Sequence, residues 1–378
     1  MNITNMLLAN VFSDSGLFCG KEDVVHAIIH HQLVKSGISS QRIAREQALS
    51  GNRVDIVLFG DGFEGDFATT QSIPVAAVEV KGGAYGYRNA LKVEIDANGY
   101  CADMAKLRDD AAKGIECWFF CVDMAELGRA ISPHRIELIS AQSNSHGLSF
   151  AYYCQGEDFF YVSRPKQKLT QAPIAKKIAN NCKPKSAFEL ESKAFKLDQL
   201  ARECLAVTGH EANTTARLYH RLRDAGFGAE QLSLETYFSF AAPAGSRMQE
   251  RPDLVVFSEG FDGRFNLYRG GDMRQSNDAH KLAHIDTIFE VKAGAALDKK
   301  GDKAVMQAYL NDIHKLVRWR DGAASARKGT RVKTMFMGVD GRSGGLPVAP
   351  VTLLVEECRK NSVGLIYISR DRVETVQP

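Results

Sequence analysis

The chain lacks the sequence features that mark several large classes of protein. No apolar run approaches the roughly 20 residues that a membrane-spanning helix needs. Residues 1–20 hold no basic segment ahead of an apolar core, so a secretory signal is not predicted. The eight cysteines form no Cys-x-x-Cys pair, and neither a zinc-ligand spacing nor a phosphate-binding P-loop is present. These absences favour a reduced, cytoplasmic protein that has no membrane partner.

A strong net charge is also lacking, since the 378 residues carry only +3. This small value does not establish a nucleic-acid partner, but the cations are distributed unevenly. Two basic stretches could neutralise phosphates, although a solvated linker and a solvated helix face account for them equally well. The first comprises Arg164, Lys166, Lys168, Lys176, Lys177, Lys183 and Lys185, and the second comprises Lys315, Arg318, Arg320, Arg327, Lys328, Arg331 and Lys333.

Two apolar runs near the first quarter of the chain carry a small set of charged residues. Residues 53–59 predict a buried strand whose one acid is Asp55. Residues 75–81 alternate, so that Glu79 and Lys81 point to the same face of a neighbouring strand. An acid on one strand, with an acid and a lysine on the next, can hold a divalent cation beside a water and an ammonium.

The same passage occurs a second time. Residues 251–257 repeat the first run with Asp253 as its acid, and residues 289–295 repeat the second run with Glu290 and Lys292. A single Glu-x-Lys triplet is weak evidence, because chance produces many of them. Its recurrence in a duplicated context strengthens the hypothesis of a metal site in each copy.

The duplication extends over most of the chain. One constant numerical offset relates Glu22, His31 and Glu46 to Glu211, His220 and Glu235. Insertions near residues 240–250 and within 264–284 then lengthen the second copy. The length of the chain suits about two domains. The duplication therefore predicts a first module at 1–163, a basic linker with a lead-in helix at 164–204, and a second module at 205–378.

Each copy predicts a helix, strands, a helix, a strand, a helix and a strand. This order indicates an α/β fold in which a mixed central sheet is flanked by helices. The middle helix of the first copy carries Asp103 and Lys106, and that of the second carries Asp312 and Lys315. A spacing of three residues favours a salt bridge on one helix face, with phosphate contact by the lysines as the second interpretation.

Each copy resembles the PD-(D/E)XK phosphodiesterase superfamily in having an acid on one strand, a Glu-x-Lys on the next and a helix after it. This resemblance implies two tandem restriction-endonuclease-like modules. The second copy has the Pro-Asp pair as Pro252-Asp253, whereas the first has Val54-Asp55. The Gln-x-x-x-Tyr element of the exonuclease-like branch is not matched, so that branch is not assigned.

The resemblance implies a role for each matched residue. The metal ligands would be Asp55, Glu79, Asp253 and Glu290. Their hard oxygen donors suit Mg²⁺ or Mn²⁺ as the cofactor. Lys81 and Lys292 would be catalytic, positioning a water and offsetting charge on the phosphate. Glu22 and Glu211 could reach the metal directly or through water, or could be favourable simply against the helix dipole.

These residues predict a metal-dependent nuclease, more an endonuclease than an exonuclease, with two active sites arranged as a pseudo-dimer. Double-stranded DNA is the favoured partner, contacted by Lys176, Lys177, Lys183, Lys185, Lys315, Arg318 and Arg320. Because the duplication supplies two modules, a monomer is compatible with this function. Two alternatives stay open: a nucleic-acid-binding or assembly protein in which one or both modules are catalytically idle, and an RNase.

Overall fold

The computed structural model describes most of the chain. The described residues are 3–18, 20–67, 74–83, 100–124, 130–165, 188–190, 195–207, 209–239, 249–265, 278–326 and 332–378. The predicted linker, with Lys176, Lys177, Lys183 and Lys185, lies mostly outside them. The chain divides into two compact units, each of which contains one six-stranded sheet. We call the first unit's elements the first module and the second unit's elements the second module.

The first module contains four helices and six strands among its described residues. In chain order these are α1 (Asn5–Ser15), α2 (Glu22–Lys35), β1 (Ile43–Leu49), β2 (Asn52–Phe59), β3 (Pro74–Gly83), α3 (Tyr100–Ala112), β4 (Glu116–Asp123), α4 (Pro133–Ser145), β5 (Ser149–Cys154) and β6 (Phe159–Ser163). The strands pair in the order β1-β2-β3-β4-β5-β6. The strand β4 pairs in parallel with both β3 and β5, and the other three pairs are antiparallel.

The second module repeats this arrangement and adds short elements. In chain order it contains α5 (Leu197–Leu205), α6 (Glu211–Asp224), β7 (Leu232–Leu234), β8 (Phe238–Ser239), β9 (Gln249–Glu250), β10 (Leu254–Phe257), α7 (Asp278–His284), β11 (Ile285–Lys292), α8 (Ala295–Asp298), α9 (Asp302–Ala326), β12 (Lys333–Asp340), α10 (Val348–Lys360), β13 (Gly364–Ser369) and β14 (Val373–Val376). Its main sheet has the order β14-β13-β12-β11-β10-β7. Again only the three central strands pair in parallel.

Burial explains why these sequences form these sheets. The central strand β4 is buried at seven of its eight positions, and β12 shows the same pattern. A strand covered by helices on both faces needs such a continuous apolar run, which also favours parallel pairing. The helix α2 places two acids in its first turn and Lys35 in its last turn, so that both ends complement the helix dipole.

Local irregularities recur at equivalent positions of the two modules. The pairing of β2 with β3 shifts register between Leu58 and Phe59, and that of β10 with β11 shifts between Val256 and Phe257. In each module the phenylalanine that ends the strand stacks on a phenylalanine of the following turn, with ring centroids 4.1 Å apart. The helices α2 and α6 both have 14 residues. These shared details support the internal duplication that the sequence predicts.

The α/β architecture with two helix-flanked mixed sheets is therefore confirmed, with additions. Each sheet gains an antiparallel edge strand, β6 or β14, which was not predicted. The helix α1, which buries Leu7, Leu8, Val11 and Phe12, was not predicted either. The boundaries at 163 and 204 stay a prediction. In the part of the chain that the structure describes, no helix is long and apolar enough to cross a membrane.

Candidate functional site

The two predicted strand acids lie at the same place in the two sheets. Asp55 on β2 accepts a hydrogen bond from the backbone N–H of Val80 at 2.8 Å, and Asp253, just before β10, accepts one from Val291 at 2.7 Å. The ladder that pairs Ile56 with Val78 places Asp55 beside Glu79. The ladder of the second module places Asp253 beside Glu290 in the same way. Each predicted carboxylate pair is thus brought together within its own module.

The first residue of a helix joins each pair. Glu22 opens α2 and accepts a hydrogen bond from the backbone N–H of Gly82 at 2.9 Å. Glu211 opens α6 and accepts one from Ala293 at 3.3 Å. A strand terminus leaves its N–H groups free for such side chains. These contacts bring both glutamates into the cluster, in addition to the interaction with the helix dipole that their positions allow.

The predicted catalytic lysines lie among these acids. The Nζ atom of Lys81 is 3.1 Å from Asp103, 3.7 Å from Glu79 and 3.9 Å from Glu22. It also donates to the carbonyl oxygen of Val80 at 3.2 Å. Burial acts to lower the pKa of Lys81, but the surrounding carboxylates outweigh it and raise the pKa. Lys81 is therefore a cation held by several acids at once.

The lysine of the second module has a similar environment. Lys292 Nζ lies 3.3 Å from Glu211 and 3.6 Å from Asp312. Its pKa is also raised, since the carboxylates outweigh the effect of burial. Because Asp103 on α3 and Asp312 on α9 correspond to each other in the repeat, both modules place the ammonium between a helix-opening glutamate and an aspartate on the middle helix.

A second lysine in each module contacts the buried glutamate. Lys106 on α3 donates to Glu79 Oε1 at 2.9 Å, and Lys315 on α9 pairs with Glu290. Lys106 also forms the predicted salt bridge with Asp103. The contact of both lysines with the glutamates was not predicted from the sequence. The identical Asp/Lys spacing in the two copies was the available signal.

Burial controls the charge of the strand carboxyls. Glu79 is 1% exposed and Glu290 is 3% exposed. Burial, opposed by the nearby lysines, raises the pKa of Glu79 to about 8 and that of Glu290 to about 7. It also raises the pKa of Glu22 to about 7. Each carboxyl is therefore kept near its neutral form unless a further cation compensates its charge.

One oxygen of each buried glutamate lacks a donor. Among the described residues, neither Glu79 Oε2 nor Glu290 Oε2 has a hydrogen-bond partner, although both atoms are buried. A buried acceptor without a partner carries a desolvation cost. A cation or an ordered water at this position would remove that cost. The neighbouring carboxylates of Asp55 with Glu79, and of Asp253 with Glu290, are oxygen ligands of the kind that Mg²⁺ and Mn²⁺ prefer.

The first module has a histidine at its site that the sequence analysis did not single out. His26 lies one turn after Glu22 on α2, and its Nε2 atom is 4.0 Å from Glu22 and 3.7 Å from Asp55. Ligand atoms of these three residues lie within 4.8 Å of one another, close enough to share a metal ion. However, Arg45 donates to His26 Nδ1 at 3.1 Å. This donor makes Nδ1 the acceptor and leaves the proton on Nε2, so that Nε2 faces the acids as an N–H rather than as a ligand.

The corresponding positions of the second module contain none of these polar groups. Thr215 replaces His26 and Leu234 replaces Arg45, while Ala212 replaces Asp23, which lies 3.7 Å from Arg45. Thr215 donates instead to the backbone carbonyl of Glu211 at 3.3 Å. The two sites therefore share their acids and lysines but differ in the neighbouring residues at these three positions.

The predicted nucleic-acid contacts of α9 have different environments. Arg318 is exposed. Arg320 is half-buried and donates to the backbone carbonyls of Asn361 and Ser362. Lys315 lies within the site and also over the ring of Trp319, 4.4 Å from its centroid. A role of these three residues in nucleic-acid binding stays a prediction.

Comparison of the chain with protein-family models, with curated proteins and with solved structures gave no match. The function must therefore be inferred from the site.

Proposed function

We propose that the chain is a metal-dependent phosphodiesterase with two restriction-endonuclease-like modules of the PD-(D/E)XK type, and that it hydrolyses DNA. One observation carries this proposal: two sheets of identical strand order hold the same charged groups on the same elements. Each set contains a helix-opening glutamate, a strand aspartate, the Glu-x-Lys pair and an Asp/Lys pair on the middle helix. A structural ion-pair network alone gives no reason for the buried carboxylate oxygen that both sets leave without a donor.

The acids of each module would hold the metal ion. In the first module these are Asp55 and Glu79, with the carbonyl of Val80 as a further oxygen; Asp253, Glu290 and the carbonyl of Val291 match them in the second. Lys106 and Lys315 bind one oxygen of each glutamate, which leaves the other oxygen for the ion. When bound, Mg²⁺ or Mn²⁺ supplies polarisation of the phosphate and lowers the pKa of a water.

The lysines and the helix-opening glutamates would carry out the remaining steps. Lys81 and Lys292 lie close enough to the acids to orient a water and to offset negative charge that develops on the phosphate. Since burial raises the pKa of Glu22 to about 7, this carboxyl can accept a proton near neutral pH. Its hydrogen bond with Gly82 holds it in position.

The direct test is incubation of the purified chain with supercoiled, linear and single-stranded DNA and with RNA, in Mg²⁺, Mn²⁺ or EDTA. We expect duplex DNA to be cut in either metal ion and to stay intact in EDTA. The combined Asp55→Asn and Asp253→Asn variant should lose activity by about 100-fold or more, because it removes a ligand from each site.

The matched control combines Asp109→Asn with Asp321→Asn. These aspartates lie on the same two helices as the site, but their side chains are 68% and 64% exposed. This variant should therefore cut DNA at the rate of the parent. Tight binding of nucleic acid without cleavage in any metal ion would favour the alternative of catalytically idle modules, and cleavage of RNA alone would favour an RNase.

A further inference from the structure

One backbone distortion is repeated at both candidate sites. Glu46 on β1 and Glu235 just after β7 have φ angles of 54° and 52°. This left-handed conformation is unfavourable for a residue with a side chain, and it is rarely found beside a strand. Strain of this kind persists where the surrounding structure requires it, and it concentrates at functional sites.

Each strained glutamate lies opposite a candidate metal ligand. The ladder pairs Arg45 with Ile56 and Gln47 with Val54, which places Glu46 across from Asp55. The pairing of Leu234 with Leu254 places Glu235 across from Asp253. Two acids in a regular cross-strand pair would repel each other at close range. The left-handed conformation allows the glutamate carboxylate to turn away from the aspartate.

In both modules the glutamate then binds an arginine. Glu46 pairs with Arg53, and Glu235 pairs with Arg251. Each arginine lies two residues before the strand aspartate, so that on β2 Arg53 and Asp55 share one face of the sheet. Despite these pairs, the arginine side chains remain 61% and 51% exposed.

The stability of the fold does not account for this arrangement. An exposed ion pair contributes little to folding, and the strained backbone opposes it. A guanidinium presents N–H groups in parallel and binds phosphate oxygens well, and a paired carboxylate keeps it oriented. Both modules thus hold an exposed, oriented cation next to a site that is otherwise rich in acids.

We infer that Arg53 and Arg251 bind a phosphate of the nucleic-acid strand beside the one that is cleaved, and that Glu46 and Glu235 position them. This inference rests on the proposed function for the nature of the ligand. It assigns the arginines to substrate binding and leaves the chemistry to the acids and lysines of each site.

The experiment measures equilibrium binding of a duplex DNA in EDTA, where no metal-dependent cleavage can occur, over a series of salt concentrations. The combined Arg53→Ala and Arg251→Ala variant should bind more weakly. The slope of log affinity against log salt should become shallower by about 1.8, which is about 0.9 for each lost phosphate contact. Arg53→Lys with Arg251→Lys should keep the parental slope, since both charges remain.

The control variant combines Arg108→Ala with Lys360→Ala. These side chains are 58% and 75% exposed and pair with neighbouring acids on α3 and α10, so their loss should leave the slope unchanged. The positioning role has its own test. The combined Glu46→Gln and Glu235→Gln variant should bind DNA more weakly than the parent. The same two changes should have no further effect on binding when both arginines are already alanine.

An equal slope for the parent and for the arginine-to-alanine variant overturns the inference, even if the parent cuts DNA in Mg²⁺. So does a parent that binds neither DNA nor RNA. If the arginine-to-alanine variant has a shallower slope but the parent cleaves no nucleic acid in any metal ion, the inference is supported and the proposed nuclease activity is contradicted. Circular dichroism of each variant, which should match the parent, separates lost binding from lost folding.

Discussion

At the scale of single residues, the buried glutamates are the most constrained groups of the site. Glu79 accepts a hydrogen bond from Lys106 at one carboxylate oxygen, and no donor among the described residues reaches the other. Burial therefore outweighs the nearby ammonium and raises the pKa of Glu79 to about 8. In the unfolded chain the same carboxyl would titrate near its ordinary value of about 4.3. The difference makes the metal-free protein sensitive to pH.

The sign of this effect follows from proton linkage. Between the two pKa values the folded state retains the proton of Glu79 and the unfolded state loses it, so that folding stability falls as pH rises. We expect the metal-free first module to lose stability from about pH 5 to about pH 8, by at most about 1.4 kcal/mol per pH unit from this group. Urea denaturation in EDTA measures the free energy of unfolding over this range.

Glu79→Gln is the matched variant, because its amide has the same shape and cannot ionise. The parent should lose stability relative to the variant as pH rises. Parallel pH profiles for the two proteins would show that Glu79 does not titrate in this range.

The aspartates of the middle helices differ between the modules in the direction of their pKa shift. Burial acts to raise the pKa of Asp103, but Lys81 at 3.1 Å and Lys106 outweigh it and lower the pKa. For Asp312 burial prevails, and the pKa is raised. Its ion pair with Lys292 is longer, at 3.6 Å. The pKa values of these equivalent aspartates are therefore shifted in opposite directions in the two modules.

At the scale of secondary-structure elements, α2 and α6 are equal in length but differ on the side that faces the site. The three polar residues Asp23, His26 and Arg45 correspond to Ala212, Thr215 and Leu234. Burial lowers the pKa of His26 to about 3, and the charge of Arg45 acts in the same direction. The imidazole is therefore neutral at physiological pH and presents its Nε2–H group toward Asp55 and Glu22.

This difference predicts that His26 affects the first module alone. With the second module disabled by Lys292→Ala, we expect His26→Thr to reduce cleavage by about 10-fold, the low end of the effect of losing a residue that supports a metal ligand. His26→Gln should retain most of the activity, because its amide N–H can take the place of Nε2–H. The initial rate of nicking of a supercoiled plasmid is the measurement.

His26→Asn is the control, because its shorter amide occupies the position of Nδ1 instead. An equal loss with Gln and with Asn would indicate that the imidazole acts only through packing. Thr215→His should not raise the activity of the second module, since Leu234 cannot donate to the new imidazole.

At the scale of the whole molecule, the duplication places two complete sets of site residues in one chain. Two modules that are both active would cut both strands of a duplex. We expect Lys81→Ala or Lys292→Ala alone to convert linearisation of a plasmid into nicking. The combined variant should lose both activities by about 100-fold or more, since each lysine would stabilise charge at the phosphate. Gel electrophoresis of plasmid forms over time distinguishes these products.

Lys113→Ala provides the control for the loss of a lysine, because its side chain is 60% exposed and lies outside the site. This variant should linearise the plasmid like the parent. If one single variant linearises at the parental rate and the other is inactive, then only one module is catalytic and the second serves another role.

The helices and strands were largely predictable because their signals are local and occur twice. Periodicity places β3 at residues 75–81, within its observed range of Pro74–Gly83, whereas the repeat at residues 289–295 overlaps β11 (Ile285–Lys292) at residues 289–292 alone. The Glu-x-Lys alternation brings Glu79 and Lys81 to one face, since side chains of a strand alternate by geometry alone. The edge strands β6 and β14 were missed, because short strands at the end of a module carry a weak pattern.

The sequence by itself therefore determined the α/β class, the duplication and the acids and lysine that each copy repeats. Only the tertiary structure decided which side chains meet across elements. Lys106 reaches Glu79, Arg45 reaches His26, and Glu46 turns toward Arg53. These contacts depend on how the helices pack on the sheet and on one strained backbone angle. Hydrophobic periodicity carries no information about either, because it reports which face of an element is buried and not which neighbour covers it.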